Sequence, residues 1–282
     1  MTLIVDLAYN NMTTKNVNGK DVDIPIDWST ISPLPDGVVT KVSELNFLDP
    51  SFVANWHGVG GLNLRRAGYH FYRNGQLFYN SARQAKTFSD ALIAQGIKDN
   101  DYFVLDNEEK DAKGNSLVSL SESLDWSYNV KVNLQLPDYD RFWLYSTADI
   151  LNHLNVSKLN NAQLAILKQI KIWVAGYPKP TPELDGILTA LPSRYAVDQT
   201  IYGPVIGWQF AAEVPNISNI PGGVDLNQIT ADFLAKWKGG QEPTPVPTPT
   251  PNPSQTTIDL HKDVHVTVLT GDPNTQVKVE MQ

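Results

Sequence analysis

The chain has 282 residues, 41% of them hydrophobic and 18% charged, an ordinary globular composition with room for one large domain or two small ones. Its net charge is −8 and its densest basic pair is Arg65-Arg66, which argues against nucleic acid as the main partner, because phosphate binding needs a basic patch. It has no cysteine, which excludes disulfides, thiol catalysis and Cys–zinc sites, and no apolar run approaches the ~18–20 residues of a membrane span.

Met1-Thr-Leu-Ile-Val-Asp6 enters a strand-like pattern at once, so no secretory signal is expected. Leu3 to Val5 begins a first strand. Gly37 to Ser43 reads as a second and Gly68 to Tyr72 as a third, followed by a helical stretch from Ser81 to Gln95. Tyr102 to Leu105 is a fourth strand. Residues 116–135 fit neither period. Arg141 to Ser146 is a fifth strand, with a short helix from Ala148 to Leu154. Lys171 to Ala175 is a sixth, and Tyr195 to Val197 and Val205 to Phe210 are late strands with little room for helices between them. Repeated strand–helix units predict an α/β fold with a parallel sheet covered on both faces. About eight strands in residues 1–240 suit an irregular TIM-like β/α barrel with fewer helices in its last third.

From Pro243 to Pro253 proline occupies every second position. Each fixes its own φ and holds its predecessor extended, so residues 241–255 read as a stiff polyproline II linker. Beyond it, residues 256–282 form a small tail. Val264-His-Val-Thr-Val268 and Val277-Lys-Val-Glu-Met281 alternate in period 2 on either side of Gly271-Asp-Pro-Asn274, which predicts a hairpin.

The chemistry concentrates in Tyr102-Phe-Val-Leu-Asp-Asn-Glu108. An apolar run ends in carboxyl groups at i and i+2, and alternate side chains of a strand share a face. Asp106 and Glu108 then point the same way at the C-terminal end of a barrel strand, where active sites lie. One such acid can be held protonated while the other stays charged, the division of labour that glycosidic cleavage needs. Read from spacing alone, Asp106 is either a turn cap or a catalytic acid, and Glu109 points to the opposite face. The 5 histidines are widely spaced and form no metal motif, so no metal or cofactor is expected. His70 reads as packed between barrel and helix. The Asn-x-Ser/Thr matches at Asn11, Asn155 and Asn216 are of a kind common by chance.

Further segments join this pair. They are Val5-Asp6, Lys41-Val-Ser-Glu44, Ala67-Gly-Tyr-His-Phe71, Leu105-Asp-Asn-Glu108, Leu144-Tyr-Ser146, Ile172-Trp-Val-Ala-Gly-Tyr177, Trp208-Gln-Phe210 and Gly223-Val-Asp-Leu226. In this order, over residues 3–227, the sequence resembles family 25 glycoside hydrolases, the Chalaropsis-type muramidases common as phage endolysins. The resemblance implies a modified β/α barrel that hydrolyses the β-1,4 bond between N-acetylmuramic acid and N-acetylglucosamine in peptidoglycan. It implies catalytic acids at Asp6, Asp106, Glu108 and Asp225, with Glu108 as proton donor. Sugar contacts are expected from Tyr69, Tyr145, Trp173, Tyr177, Trp208 and Gln209, of which Tyr69, Tyr145 and Gln209 are the stronger candidates. Residues 11–24 depart from the family as an insertion beside Asp6.

The expected activity is a retaining muramidase, a phage lysin made in the host cytoplasm and acting on the wall after release or carried on a phage particle. The alternatives are a wall-docking phage protein of weak activity, or a chitinase-like glycosidase on the same barrel. A tail of ~27 residues buries too little to be stable alone, and exposed strand edges favour pairing between chains. The full chain is therefore expected to self-associate or dock to another protein through residues 256–282. A chain shortened to end at Gly240 is expected to stay folded, monomeric and active. Light scattering on the two chains checks this.

Overall fold

The computed structural model describes residues 3–17, 20–74, 78–179, 186–239, 264–266 and 279–281. The chain divides into two units, residues 1–246 and 247–282. The linker expected over 241–255 lies outside the described residues.

The first unit begins with β1 (Ile4–Leu7), then β2 (Thr13–Val17) and β3 (Lys20–Ile24), which form a two-stranded hairpin that pairs with no other strand among the described residues. This hairpin occupies most of residues 11–24, the segment expected as an insertion beside Asp6. β4 (Gly37–Glu44) turns back into the short β5 (Phe47–Leu48), and α1 (Phe52–Gly61) leads to β6 (Arg65–Phe71). Next come α2 (Ser81–Gln95), β7 (Tyr102–Asp106) and α3 (Leu120–Asn133). α3 occupies the segment that fits neither period. Its Ser, Asn and Asp residues blur the pattern, but Ser119 and Glu122 form a reciprocal capping box that starts it. β8 (Phe142–Thr147) runs straight into α4 (Ala148–His153). Then α5 (Asn161–Gln169), capped by Asn160, precedes β9 (Lys171–Ala175). β10 (Ile187–Leu188), β11 (Val205–Pro215), β12 (Gly223–Thr230) and α6 (Ala231–Gly239) complete the unit.

Among the described residues eight strands close into a barrel. β1, β4, β6, β7, β8, β9 and β11 are parallel neighbours in that order, and β12 closes the ring antiparallel to both β11 and β1. The strand expected over Tyr195–Val197 is not there. Ser193–Tyr195 is a 3-10 turn that follows Pro192, and the Tyr195 ring packs on Trp208. The eighth barrel strand is β12 instead. Val224 and Leu226 alternate with Asp225 and Asn227, and Gln228, which stands opposite Trp208, breaks the alternation.

The barrel interior holds Val39, Ala67, Val104, Trp143, Tyr145 and Trp173. α6 plugs the N-terminal mouth. Its Trp237 is fully buried and meets Trp143 edge-on at 5.4 Å and Tyr102 at 6.0 Å. Outside, α2 and α3 cover the sheet with Phe88, Leu92, Trp126 and Val130 against Phe103 and Leu105. His70 lies in this outer layer, as expected. It bonds Ser43 Oγ at 2.8 Å and Gln84 Oε1 at 2.9 Å, and stacks on Trp126. Burial lowers its pKa to about 4, so it is neutral at pH 7.

In the second unit β13 (Val264–Val266) pairs antiparallel with β14 (Val279–Met281), with Val266 opposite Val279.

One ion pair fastens the strand starts. Arg66 is the second residue of β6 and Asp101 precedes β7, and both are buried. Arg66 Nε and Nη2 donate to Asp101 Oδ1 and Oδ2 at 2.7 and 2.9 Å, while Nη1 donates to the Trp56 carbonyl at 3.0 Å. The guanidinium lies 3.8 Å from the Trp56 ring centroid. Removing one partner leaves a buried charge uncompensated, which costs about 3–5 kcal/mol. Asp101→Ala is expected to lose that much stability, measured by urea unfolding.

Candidate active site

β7 delivers the acids. Its apolar residues Phe103 to Leu105 are fully buried, and the strand ends at Asp106. The alternation of the strand continues past its end. Asn107 points outward, where its Nδ2 donates to Ser123 Oγ at 2.9 Å and its backbone N–H to the Tyr145 carbonyl at 2.9 Å. Ser146 Oγ donates to the Asn107 carbonyl at 2.5 Å. Asn107 thus anchors the turn and sends Asp106 and Glu108 to the inner side. Glu109 is turned away. It accepts from the Asn74 N–H at 2.6 Å and pairs with Arg73 at 3.3 Å.

Barrel closure supplies the other two acids. Asp6 is the penultimate residue of β1 and stands directly opposite Asp225 of β12 in the antiparallel register. Asp225 is set by the neighbouring bulged strand. β11 shifts register between Gln209 and Val214, and Glu213 takes a positive φ of 54° that aims its N–H at Asp225 Oδ1, 2.9 Å away. Gly223 permits this approach, since a Cβ there would lie 2.5 Å from the Glu213 backbone.

The acids act on one another electrostatically. Burial pushes Asp106 well above the usual carboxylate range, and Glu108 and Asp6 push it further. Glu108 is raised by burial and then by Asp225, against the lowering pull of Arg73, Lys110 and Lys41. Asp6 is raised by burial, Asp225 and Glu108. Asp225 is raised chiefly by burial. The nearby cations are partly spent elsewhere: Lys41 and Arg73 both bind Glu44, at 2.6 and 2.7 Å. Asp106 Oδ1 is buried with no hydrogen-bond partner among the described residues.

Of the expected sugar-contact residues, the structure brings four to this mouth. Tyr69 of β6 is half-buried and feels the charges of Asp6 and Asp106. Tyr145 of β8, Tyr177 just beyond β9 and Gln209 of β11 are hydrogen-bonded to one another. Tyr145 Oη donates to Gln209 Oε1 at 2.6 Å, Tyr177 Oη donates to the same oxygen, and the two hydroxyls are 3.2 Å apart. Two do not join them. Trp173 lies deeper in the barrel, its ring centroid 4.8 Å from that of Tyr145, which it supports from below. Trp208 alternates with Gln209 and so faces outward. It packs on Tyr195 and Phe210 and donates its indole N–H to the Gly176 carbonyl at 2.8 Å.

Residues that the sequence did not assign to the site also matter. Lys41, Arg73 and Lys110 supply the positive field. Asn11 ties the loop after β1 to the start of β12, with its Nδ2 donating to the Gly223 carbonyl at 2.8 Å and its Oδ1 accepting from the Ala8 N–H. Asp49 accepts from the Tyr9 N–H of the same loop. Only the outward alternation of Asn107 could have been read from spacing. Among the described residues no group of three or more His, Asp or Glu side chains is arranged to hold a metal ion. A separate cavity of about 730 Å³, lined in part by Ser119, Glu122, Asp149 and His153, does not include the four acids.

The sequence profile described as glycosyl hydrolases family 25 matches residues 20–216. That segment holds Asp106 and Glu108 and leaves out Asp6 and Asp225, which the barrel seam adds. No protein of curated function matches the sequence. The fold is similar to that of the bacterial lysozyme from Streptomyces coelicolor (21% identity, 84% of this chain and 97% of that one, TM-score 0.57). It is also similar to the catalytic domain of the endolysin ply40 from bacteriophage P40 of Listeria monocytogenes (19% identity, 85% and 98%, TM-score 0.56). A muramidase from Acremonium alcalophilum aligns at 19% identity over 85% and 100%, with a TM-score of 0.54.

The raised pKa of Asp106 carries a stability cost. Its folded value lies above the ordinary 3.8, so its favourable contribution is complete below that pH and is lost as pH rises through the folded value. At pH 7 an isosteric amide avoids the buried charge. Asp106→Asn is therefore expected to raise Tm at pH 7 by roughly 2–4 °C, about 1 kcal/mol, with the gain shrinking toward pH 4. Calorimetry at the two pH values checks this.

Proposed function

The chain belongs to glycosyl hydrolase family 25, and on that premise we propose that it is a retaining peptidoglycan muramidase. Its substrate is the β-1,4 bond from N-acetylmuramic acid to N-acetylglucosamine. The observation that carries this reading is the i, i+2 carboxyl pair, Asp106 and Glu108, set on the inner side of a barrel mouth that Asp6 and Asp225 also charge.

Glu108 is the proton donor. Burial and the charge of Asp225 favour its neutral form, so it can protonate the departing glycosidic oxygen. The 2-acetamido oxygen of the substrate then attacks the anomeric carbon from the opposite face and closes a five-membered cation. Asp106 orients and steadies it. Its orphaned Oδ1 is matched to the acetamido N–H, which would satisfy a buried acceptor. Glu108, now charged, takes a proton from water as that water opens the ring. Two inversions at one carbon retain the β configuration. Asp106 attacking directly would give the same stereochemistry.

Tyr69, Tyr145 and Tyr177 line the approach to the acids and are suited to sugar contact. The likeness in fold to a phage endolysin domain supports a lysin role, with action on the wall after release from the cell that makes the protein or from a phage particle. The second unit, with its β13–β14 pair, is left for docking or self-association.

Glu108→Gln keeps the shape of the side chain and cannot give up a proton. It is expected to lower wall hydrolysis about 10²–10⁴-fold with the fold unchanged by circular dichroism. Mass spectrometry of wild-type digests is expected to place the new reducing end on N-acetylmuramic acid, and NMR to show the β anomer first. A new reducing end on N-acetylglucosamine, or an α product at first turnover, would overturn the assignment.

A further inference from the structure

Gln209 sits where the barrel seam and the tyrosine pair meet. It is 1% exposed, on β11, between β9 and β12. All four hydrogen-bonding positions of its amide are used on this side of the barrel. Tyr145 and Tyr177 donate to Oε1, and Nε2 donates to Asp6 Oδ2 and Asp225 Oδ2, both at 3.3 Å. The chemistry of the partners fixes which way the amide faces. Burial, with acidic neighbours, holds both tyrosines in the protonated form, so they can donate. A carboxylate can only accept. Reversing the amide would set its carbonyl oxygen against two carboxylates.

This matters because Asp6 and Asp225 are cross-strand partners at the seam. Two carboxyl groups so placed tend to share one proton, leaving a single negative charge. The interposed amide gives each its own N–H and so favours two charges over one. We propose that Gln209 is a positioning residue that keeps Asp6 and Asp225 from sharing a proton and so favours the charged form of Asp225, whose charge keeps the proton on Glu108. Tyr145 and Tyr177 act through Gln209 by fixing its orientation.

The groups facing Glu108 come from every strand around the mouth. The acids are Asp6 of β1, Asp106 of β7 and Asp225 of β12, with Glu44 at the end of β4 and Glu213 of β11 behind them. The cations are Lys41 of β4, Arg73 beyond β6 and Lys110 beyond β7. Tyr69, Tyr145 and Tyr177 complete the ring. None of the cations donates a hydrogen bond to Asp6 or Asp225 among the described residues; beside the Leu7 and Glu213 backbone N–H groups, which serve one acid each, the Gln209 side chain donates to both.

The role rests on the assignment of Glu108 as acid, but it can be tested without substrate. The probe is ¹³C-carboxyl NMR of the full chain, following the Glu108 titration in wild type, Gln209→Leu and Tyr177→Phe. Gln209→Leu removes both N–H donors, so Asp6 and Asp225 share a proton and the Glu108 midpoint is expected to fall by about 0.5–1 pH unit. Tyr177→Phe removes one hydroxyl from a half-exposed ring, and the midpoint is expected to fall less, in the same direction. It remains readable if Gln209→Leu does not fold. On peptidoglycan the alkaline limb of kcat is expected to move down by the same interval. A Glu108 midpoint unchanged in both variants would overturn the proposal, even where activity falls. A wild-type chain inert on peptidoglycan would instead count against the muramidase reading and leave the NMR result standing.

Discussion

Like charges repel most where water is scarce, and this barrel gathers four carboxyl groups at one desolvated mouth. The arrangement around them is a set of answers to that repulsion. Protonation is one, since each of the four is shifted upward. Hydrogen bonds are another: the Glu213 N–H serves Asp225, and the Gln209 amide serves both Asp6 and Asp225. Cations are the third, but Lys41 and Arg73 are shared with Glu44, and Arg73 also with Glu109, so they neutralise only part of the cluster. A site built this way is kept poised to hold a proton, which suits an acid catalyst and costs stability.

Stability is supplied at the other end. The N-terminal mouth is closed by α6 through Trp237 and Phe233, and the Arg66–Asp101 pair fastens β6 to the start of β7 beneath Trp56. On the outer face a neutral His70 links Ser43 of β4 to Gln84 of α2. These groups are buried, and the polar atoms of Arg66, Asp101 and His70 are paired within the chain. The two ends are joined by strands whose apolar residues form one continuous interior, so the acids are presented by a rigid frame.

The outcome for each expected site residue follows from strand alternation. Asp106 and Glu108 share a face because Asn107 is held on the other by Ser123 and the β8 backbone. Gln209 and Trp208 differ for the same reason, one inside the mouth and one in the outer layer. Alternation was readable from the chain, but which parity faced inward on β11 was not, because both residues are compatible with either side. Trp173 faces inward yet lies a layer too deep to reach the mouth.

The sequence by itself determined the parts that depend on neighbours in the chain. The apolar runs located seven of the eight barrel strands, and the spacing of Asp106 and Glu108 marked the strand that carries the proposed catalytic acids, because apolar runs and pleat are local consequences of residue type. The missing strand, β12, carries polar residues on a strand whose pairing is antiparallel, so its pattern did not announce it. Only the tertiary structure set Asp6 opposite Asp225, 219 residues apart in the chain, and slid Gln209 between their carboxylates. Such contacts are fixed by ring closure and strand register. Those depend on how all eight strands pack together and on no single segment.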